Sequence, residues 1–234
     1  MQELAPIEVR RYGAMGPEVV VLHGGPGAPG SAVGLARALA ARFTVLEPLQ
    51  RRAGEIPLTV AQHVDDLLQV ADLPSVVVGH SWGAMLGLSF AARYPERVSK
   101  LVLVGCGTYD EVARAQFRDN VAAGWGEHDV ISDSDEGAAT LPFDELGHAE
   151  TWQDVLRLQR EGGEPQIFSR ITARVLMIQG AQDPHPGAAT RDLLRQYVPG
   201  LEYVELDRCG HEPWRERHAA EPFLTSLAVW LERS

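Results

Sequence analysis

Cysteine is scarce in this chain. Only Cys106 and Cys209 occur in 234 residues, too few for a disulfide-stapled scaffold, and both fall at predicted strand ends, where they read as reduced thiols of a cytoplasmic protein. Long apolar runs are missing too. No stretch approaches the ~18 apolar residues of a membrane span, and Met1-Gln2-Glu3-Leu4-Ala5-Pro6 has neither the basic start nor the apolar centre of a secretory signal. Positive charge is in short supply, with 21 Lys plus Arg against 32 Asp plus Glu, which argues against a nucleic-acid partner. There is no Gly-Lys-Ser/Thr, so a Walker-type phosphate loop is excluded. His211-Glu212 is not followed by a histidine at the zincin position, and Asp129, Asp133, Asp135 and Glu136 lack the spacing and closing glutamate of an EF-hand. No metal and no cofactor is expected.

What is present is alternation. Strand-like runs fall at 7–12, 18–23, 43–47, 75–79, 99–105, 173–179 and 201–206, and helical patterns at 31–42, 59–72, 82–94, 188–197 and 217–232. Such an order predicts an α/β fold, a mostly parallel central sheet with helices on both faces. One break interrupts it. Residues 107–170 hold two further helical patterns, near 110–123 and 149–161, around a loop rich in Gly, Asp and Ala. In the first, Ala113, Phe117 and Val121 share a face; in the second, Trp152, Val155 and Leu156 do. The expected organisation is therefore a core of 1–106 and 171–234 with 107–170 inserted as a small helical cap.

The most informative stretch is Gly79-His80-Ser81-Trp82-Gly83. It lies between the valine run 76–78 and a buried-type helix, the context in which G-x-S-x-G forms a nucleophile elbow and lifts the serine hydroxyl clear of the sheet. A serine hydroxyl is a weak nucleophile near neutral pH, so a histidine must take its proton and a carboxylate must hold that histidine. The chain order for this architecture is Ser, then Asp or Glu, then His. Asp183 follows the strand 173–179 with Pro184 barring a helix, and His211 follows the strand 201–206 in a Gly-containing loop. Both sit just past a strand's C-terminal end, where loops converge in open α/β sheets. The remaining histidines read as structural: His63 on a solvated helix face, His128 and His148 in the acidic insert, His218 opening the last helix, and His185 capping a loop or lining the site. Cys209 as a rival nucleophile has no elbow beside it.

An acyl transfer also needs N–H donors for the developing oxyanion. Trp82, following the serine, supplies one. Gly25, in the loop His23-Gly24-Gly25-Pro26-Gly27 after the strand 18–23, supplies the other. That loop has a competing reading, because Gly25-x-Gly27-x-x-Gly30 fits a dinucleotide fingerprint with Glu47 ending the next strand. Pro26 and Pro29 argue against it, since proline has no N–H for a phosphate, and it leaves Ser81, Asp183 and His211 unexplained as a set.

These motifs resemble the α/β-hydrolase superfamily. Within it, His23-Gly24-Gly25-Pro26-Gly27 and Gly79-His80-Ser81-Trp82-Gly83, with Pro95-Glu96-Arg97-Val98 and Gly210-His211, are similar to the proline iminopeptidase branch. The similarity runs over 7–106 and 172–232, and implies a nucleophile at Ser81, an acid at Asp183, a base at His211 and oxyanion donors at Gly25 and Trp82. Relatives carry an Asp-x-Arg-Gly-x-Gly-x-Ser stretch where this chain has Glu47-Pro48-Leu49-Gln50-Arg51-Arg52-Ala53-Gly54, and a larger cap with acidic residues for the substrate's amine.

Between Tyr109 and Gln166 the chain carries 14 Asp plus Glu against 4 Arg, a net −10 out of −11 overall. The acids either solubilise a small exposed cap or draw in a cationic substrate, an amine or free peptide N-terminus, by focusing their field over the cleft. The expectation is a cofactor-free serine hydrolase of a small ester or amide, carboxylesterase or aminopeptidase in type. The alternative from another class is a small-molecule receptor on the same fold that keeps the triad without turning over.

Overall fold

The computed structural model describes residues 6–70, 75–126, 130–131 and 140–233. Seven strands are paired in one sheet: β1 Val9–Tyr12, β2 Glu18–Leu22, β3 Thr44–Pro48, β4 Ser75–His80, β5 Val98–Val104, β6 Arg174–Gly180 and β7 Glu202–Leu206. Their order is β1-β3-β2-β4-β5-β6-β7, with β1 antiparallel to β3 and every other pair parallel. The expected mostly parallel sheet is thus observed, each strand within two residues of its predicted bounds.

Period-two patterning explains why both faces are covered. Val20 and Leu22 of β2, Val77 of β4, Leu101 and Leu103 of β5 and Met177 of β6 build one core. Their neighbours Val19, Val21, Val78, Val102, Val104 and Ile178 build the other. Helices α1 Val33–Leu39 and, at the chain's end, α7 Ala220–Glu232 cover the second face; α2 Val60–Leu67 and α3 Trp82–Arg93 cover the first. The chain runs outward from β2 to β3 and then returns to place β4 on β2's other side. The strand order therefore reverses between β2 and β4, the switch point where open α/β sheets hold their ligands.

Between β5 and β6 lie α4 Glu111–Ala122 and α5 Glu145–Arg160. Each begins where a carboxylate accepts from the first turn: Asp110 from Ala113 N at 2.8 Å and Asp144 from Gly147 N at 3.1 Å. Helix α6 Gly187–Arg195 follows β6. Three acids of this segment do more than solubilise. Asp144, Glu150 and Asp154 accept hydrogen bonds from Ala53 N at 2.7 Å, Leu58 N at 2.9 Å and Val60 N at 2.9 Å, tying α5 to the start of α2. Val155 is buried as its pattern predicts, whereas Val121 is exposed although it shares a face with Ala113. Asp129, Asp133, Asp135, Glu136 and His128 lie outside the described residues. No helix among the described residues is long and apolar enough to cross a membrane. Cys106 and Cys209 are free and buried, and burial pushes both thiols up to about 12.

His63 is not on a solvated face. It is 2 % exposed, between α2 and α5, with Nε2 3.0 Å from Thr151 Oγ1. Burial lowers its pKa from the ordinary 6.5 to about 4. Between those two values the unfolded chain binds a proton that the native state excludes, so stability falls as pH falls through this window. Replacing His63 by Gln removes that proton. From pH 7 to pH 4.5, urea titrations are expected to show wild type losing about 2 kcal/mol more than His63→Gln; equal losses would refute the assignment.

Candidate active site

Ser81 joins β4 to α3 with φ 55° and ψ −119°, and among the described residues it shares positive φ outside glycine only with Arg208. That backbone costs about 1–3 kcal/mol and persists only where the surroundings impose it. Here the Ser81 N–H donates to Val104 O at 2.8 Å and its carbonyl accepts from Ala84 N at 3.0 Å. Two neighbours have to be glycine: a Cβ on Gly79 would run into the Gly83 carbonyl, and one on Gly83 into the carbonyls of Leu22 and His23. The result is a serine raised at the switch point, beside the loop that follows β2.

Asp183 and His211 come from the loops after β6 and β7. His211 Nδ1 is 2.8 Å from Asp183 Oδ2, and His185 Nδ1 is 2.9 Å from Asp183 Oδ1, which also accepts from the His185 backbone N–H at 2.9 Å. Asp183 is 1 % exposed. Burial alone would raise its pKa, but the two imidazoles outweigh it and hold the carboxyl below the usual range. An ionised carboxylate only accepts, so both Nδ1 atoms must carry protons, and in the neutral ring the Nε2 then keeps its lone pair. Burial also lowers the pKa of His185, leaving it neutral. His185 stacks on His211 with ring centroids 4.8 Å apart, and tilted contacts join Phe117 to His185 at 4.5 Å and His80 to His211 at 4.6 Å. His80 Nε2 donates to the His211 carbonyl at 3.1 Å. Gly105, at φ 56°, makes room: a Cβ there would press on the His211 ring and on Asp183 Oδ2.

A cavity of about 440 Å³ opens on Ser81, with Gly25 and Trp82 in its wall. The Gly25 loop is pinned by His23, which burial keeps neutral with a pKa of about 4. Its Nδ1 donates to Gly24 O at 3.0 Å and its Nε2 accepts from Gln50 N at 3.1 Å. Gln50 then donates to His23 O at 3.0 Å and accepts from the Trp82 indole at 2.7 Å. One side chain thus links the loop bearing Gly25 to the residue after Ser81. Nothing in the stretch 47–54 marks Gln50 by periodicity; its signal is only a buried amide at the end of β3.

His148 departs from its expected place: it lines the cavity, donating from Nδ1 to Pro26 O at 3.0 Å. His185 takes one of its two expected places, lining the cavity, and also bonds Asp183. Arg114 and Arg118 also reach the wall, and none of the described carboxylates does. The dinucleotide parts are otherwise engaged: Glu47 accepts from Tyr12 at 2.7 Å, and the carbonyls of Pro26 and Gly27 receive His148 and the Asp144 N–H. Asp183, His185 and His211 are the described group whose donor atoms lie close enough for a metal, within 4.8 Å. Both ring protons there already go to the carboxylate, and an ion would have to displace them.

Known proteins resemble this chain to different extents. A cis-3-alkyl-4-alkyloxetan-2-one decarboxylase of Shewanella oneidensis is 39 % identical over 56 residues, 22 % of this chain and 18 % of that protein. Against this and an uncharacterised protein of Mycobacterium tuberculosis, of which 34 % is matched at 32 % identity, the chain spans about a third or less of the relative's length. A pimeloyl-[acyl-carrier protein] methyl ester esterase of Chromobacterium violaceum is 27 % identical with 93 % of this chain and 95 % of that one covered. The crystal structure of E-2-(acetamidomethylene)succinate hydrolase superposes with a TM-score of 0.72 at 19 % identity, covering 97 % of this chain and 95 % of that one, a likeness of fold. The profile of the alpha/beta hydrolase fold family matches residues 17–160, more than half of the sequence. The chain belongs to the α/β-hydrolase family.

Proposed function

We propose that this protein is a serine hydrolase that cleaves a small carboxylic ester through an acyl-enzyme. The observation that carries the reading is the Asp183–His211 couple at 2.8 Å, on the same sheet edge as a serine strained into an elbow. Ser81 Oγ attacks the ester carbonyl as its proton passes to His211 Nε2, the nitrogen left with a lone pair by the bond to Asp183. The oxyanion accepts from the Gly25 and Trp82 N–H groups, and the adduct collapses with the proton leaving on the alcohol. Water then attacks the acyl-enzyme by the same route, His211 taking its proton and returning it to Ser81 as the carboxylic acid departs. Asp183 holds the imidazole and stays ionised throughout.

Residues 107–170 act in this reading as a cap over the cleft, α4 and α5 supplying Phe117 and Trp152 to its wall. An ester is favoured over a peptide with a free N-terminus because no described carboxylate lines the cavity to hold an ammonium. A full-length relative named as a methyl ester esterase supports the same choice. The test compares kcat/KM for p-nitrophenyl esters of two to eight carbons with alanyl- and prolyl-p-nitroanilide. Turnover of short esters at least about 10²-fold above the anilides is expected, given the sizes of specificity ratios set by pocket contacts. Preferential anilide cleavage would reverse the assignment to an aminopeptidase.

A further inference from the structure

We infer that the substrate carries a carboxylate remote from the scissile bond, held by Arg118 and Arg114 of α4. This deepens the ester-hydrolase reading and rests on it. Although residues 109–166 carry −10 of the chain's net −11, none of their acids among the described residues lines the cavity. Glu111, Asp119, Glu145 and Glu161 are exposed, and Asp144, Glu150 and Asp154 are spent on backbone N–H groups of 53–60. The cavity wall instead contains Arg114 and Arg118, one helical turn apart, and two histidines.

The two guanidinium groups are held differently. Arg114 is 19 % exposed and fixed at both ends, Nε to Glu111 at 3.0 Å and Nη1 to Gln159 at 2.5 Å. Arg118 is 61 % exposed and its bond among the described residues is from Nη2 to Glu111 at 2.9 Å. A guanidinium offers five N–H donors, so donors on both remain for a ligand. Glu111 offsets one of the two positive charges, and among the described residues the net charge left on this wall is +1. That matches a carboxylate, a monoanion that accepts in fork geometry, better than a phosphate dianion. The same cavity is lined by Trp82, Met85, Phe117 and Trp152, an apolar surface for the carbon chain between the two functional ends. Helix α4 also meets the acid loop, Asn120 donating to Pro184 O at 2.9 Å and Phe117 lying on His185, so an anion bound on α4 is held beside the Asp183 loop.

Three p-nitrophenyl esters of equal chain length test this: the hemi-ester of glutaric acid, the valerate, and the 5-aminopentanoate. Wild type is expected to prefer the hemi-ester over the valerate by about tenfold in kcat/KM, with the amino ester slowest. Arg118→Gln, at an exposed position where folding is not at risk, should bring the hemi-ester-to-valerate ratio close to one. Raising the salt concentration should shrink the wild-type ratio, as screening weakens a partly exposed pair. A preference for the amino ester, or a ratio unmoved by Arg118→Gln, would overturn the proposal. If no ester is hydrolysed, the hydrolase reading itself fails. Calorimetric titration with glutarate, phosphate as the second arm, then decides the anion site alone: glutarate binding lost in Arg118→Gln supports it, and no binding or tighter phosphate binding overturns it.

Discussion

Ser81→Ala is expected to lower kcat for p-nitrophenyl ester hydrolysis by about 10⁴- to 10⁶-fold, the range seen when a triad serine is removed and the oxyanion donors are left. KM should stay within a few fold, because the cavity wall is unchanged apart from one oxygen. Stability should change little as well: alanine at φ 55° is strained as serine is, and the bonds that impose this backbone run through the main chain, from Ser81 N to Val104 O and from Ala84 N to Ser81 O. His211→Ala should cost about as much, since residues that act as one unit lose nearly everything with the first deletion. Steady-state kinetics on matched preparations check both. A drop of less than about 10²-fold in either variant would mean that the chemistry runs elsewhere.

Asp183→Asn is expected to reduce kcat by about 10³- to 10⁴-fold with the fold retained. The carboxylate accepts from two imidazole Nδ1–H groups, one on each oxygen. An amide has one acceptor oxygen and an NH₂, so one of the two histidines meets a donor and must rotate or change tautomer. If His211 is the one affected, its Nε2 carries the proton and it is no longer a base. His185→Gln leaves the His211 bond intact and should cost much less, about tenfold at most. The pH profile separates these roles further. Because Asp183 is held below the usual carboxylate range by His211 and His185, wild-type kcat/KM should lose activity on the acid side as the histidine base protonates, with no second carboxylate limb near pH 4. Equal losses in Asp183→Asn and His185→Gln would contradict the division of labour.

Much of the fold and of the candidate site is legible because its parts obey local rules. The seven strands follow from β-branched period-two runs, and the elbow follows from glycines two places either side of Ser81. Asp183 and His211 could be picked out because each sits just beyond a strand, where parallel sheets gather their loops. Misreadings occurred where a long-range contact decides. His63 has acidic neighbours in sequence and so reads as solvated, yet its contact Thr151 lies 88 residues away on α5. Helix α5 begins at Glu145, four residues before its pattern predicts, because the Asp144 side chain caps it. Gln50 shows no periodicity, and its importance is visible only once His23 and Trp82 stand on either side of it. The acidic character of 107–170 was plain, but its sign toward the cavity was not: helix α4 carries Glu111, Arg114 and Arg118 on neighbouring turns, and only packing decides which of them faces the cleft.

The most direct measurement is covalent labelling with a fluorophosphonate, followed by peptide mapping. An activated serine in an oxyanion site should form a phosphonyl adduct on the peptide containing Ser81, and the adduct should be absent from Ser81→Ala and His211→Ala. A folded wild-type protein that stays unlabelled, or that carries the adduct on another residue, would contradict the assignment of Ser81 as the nucleophile.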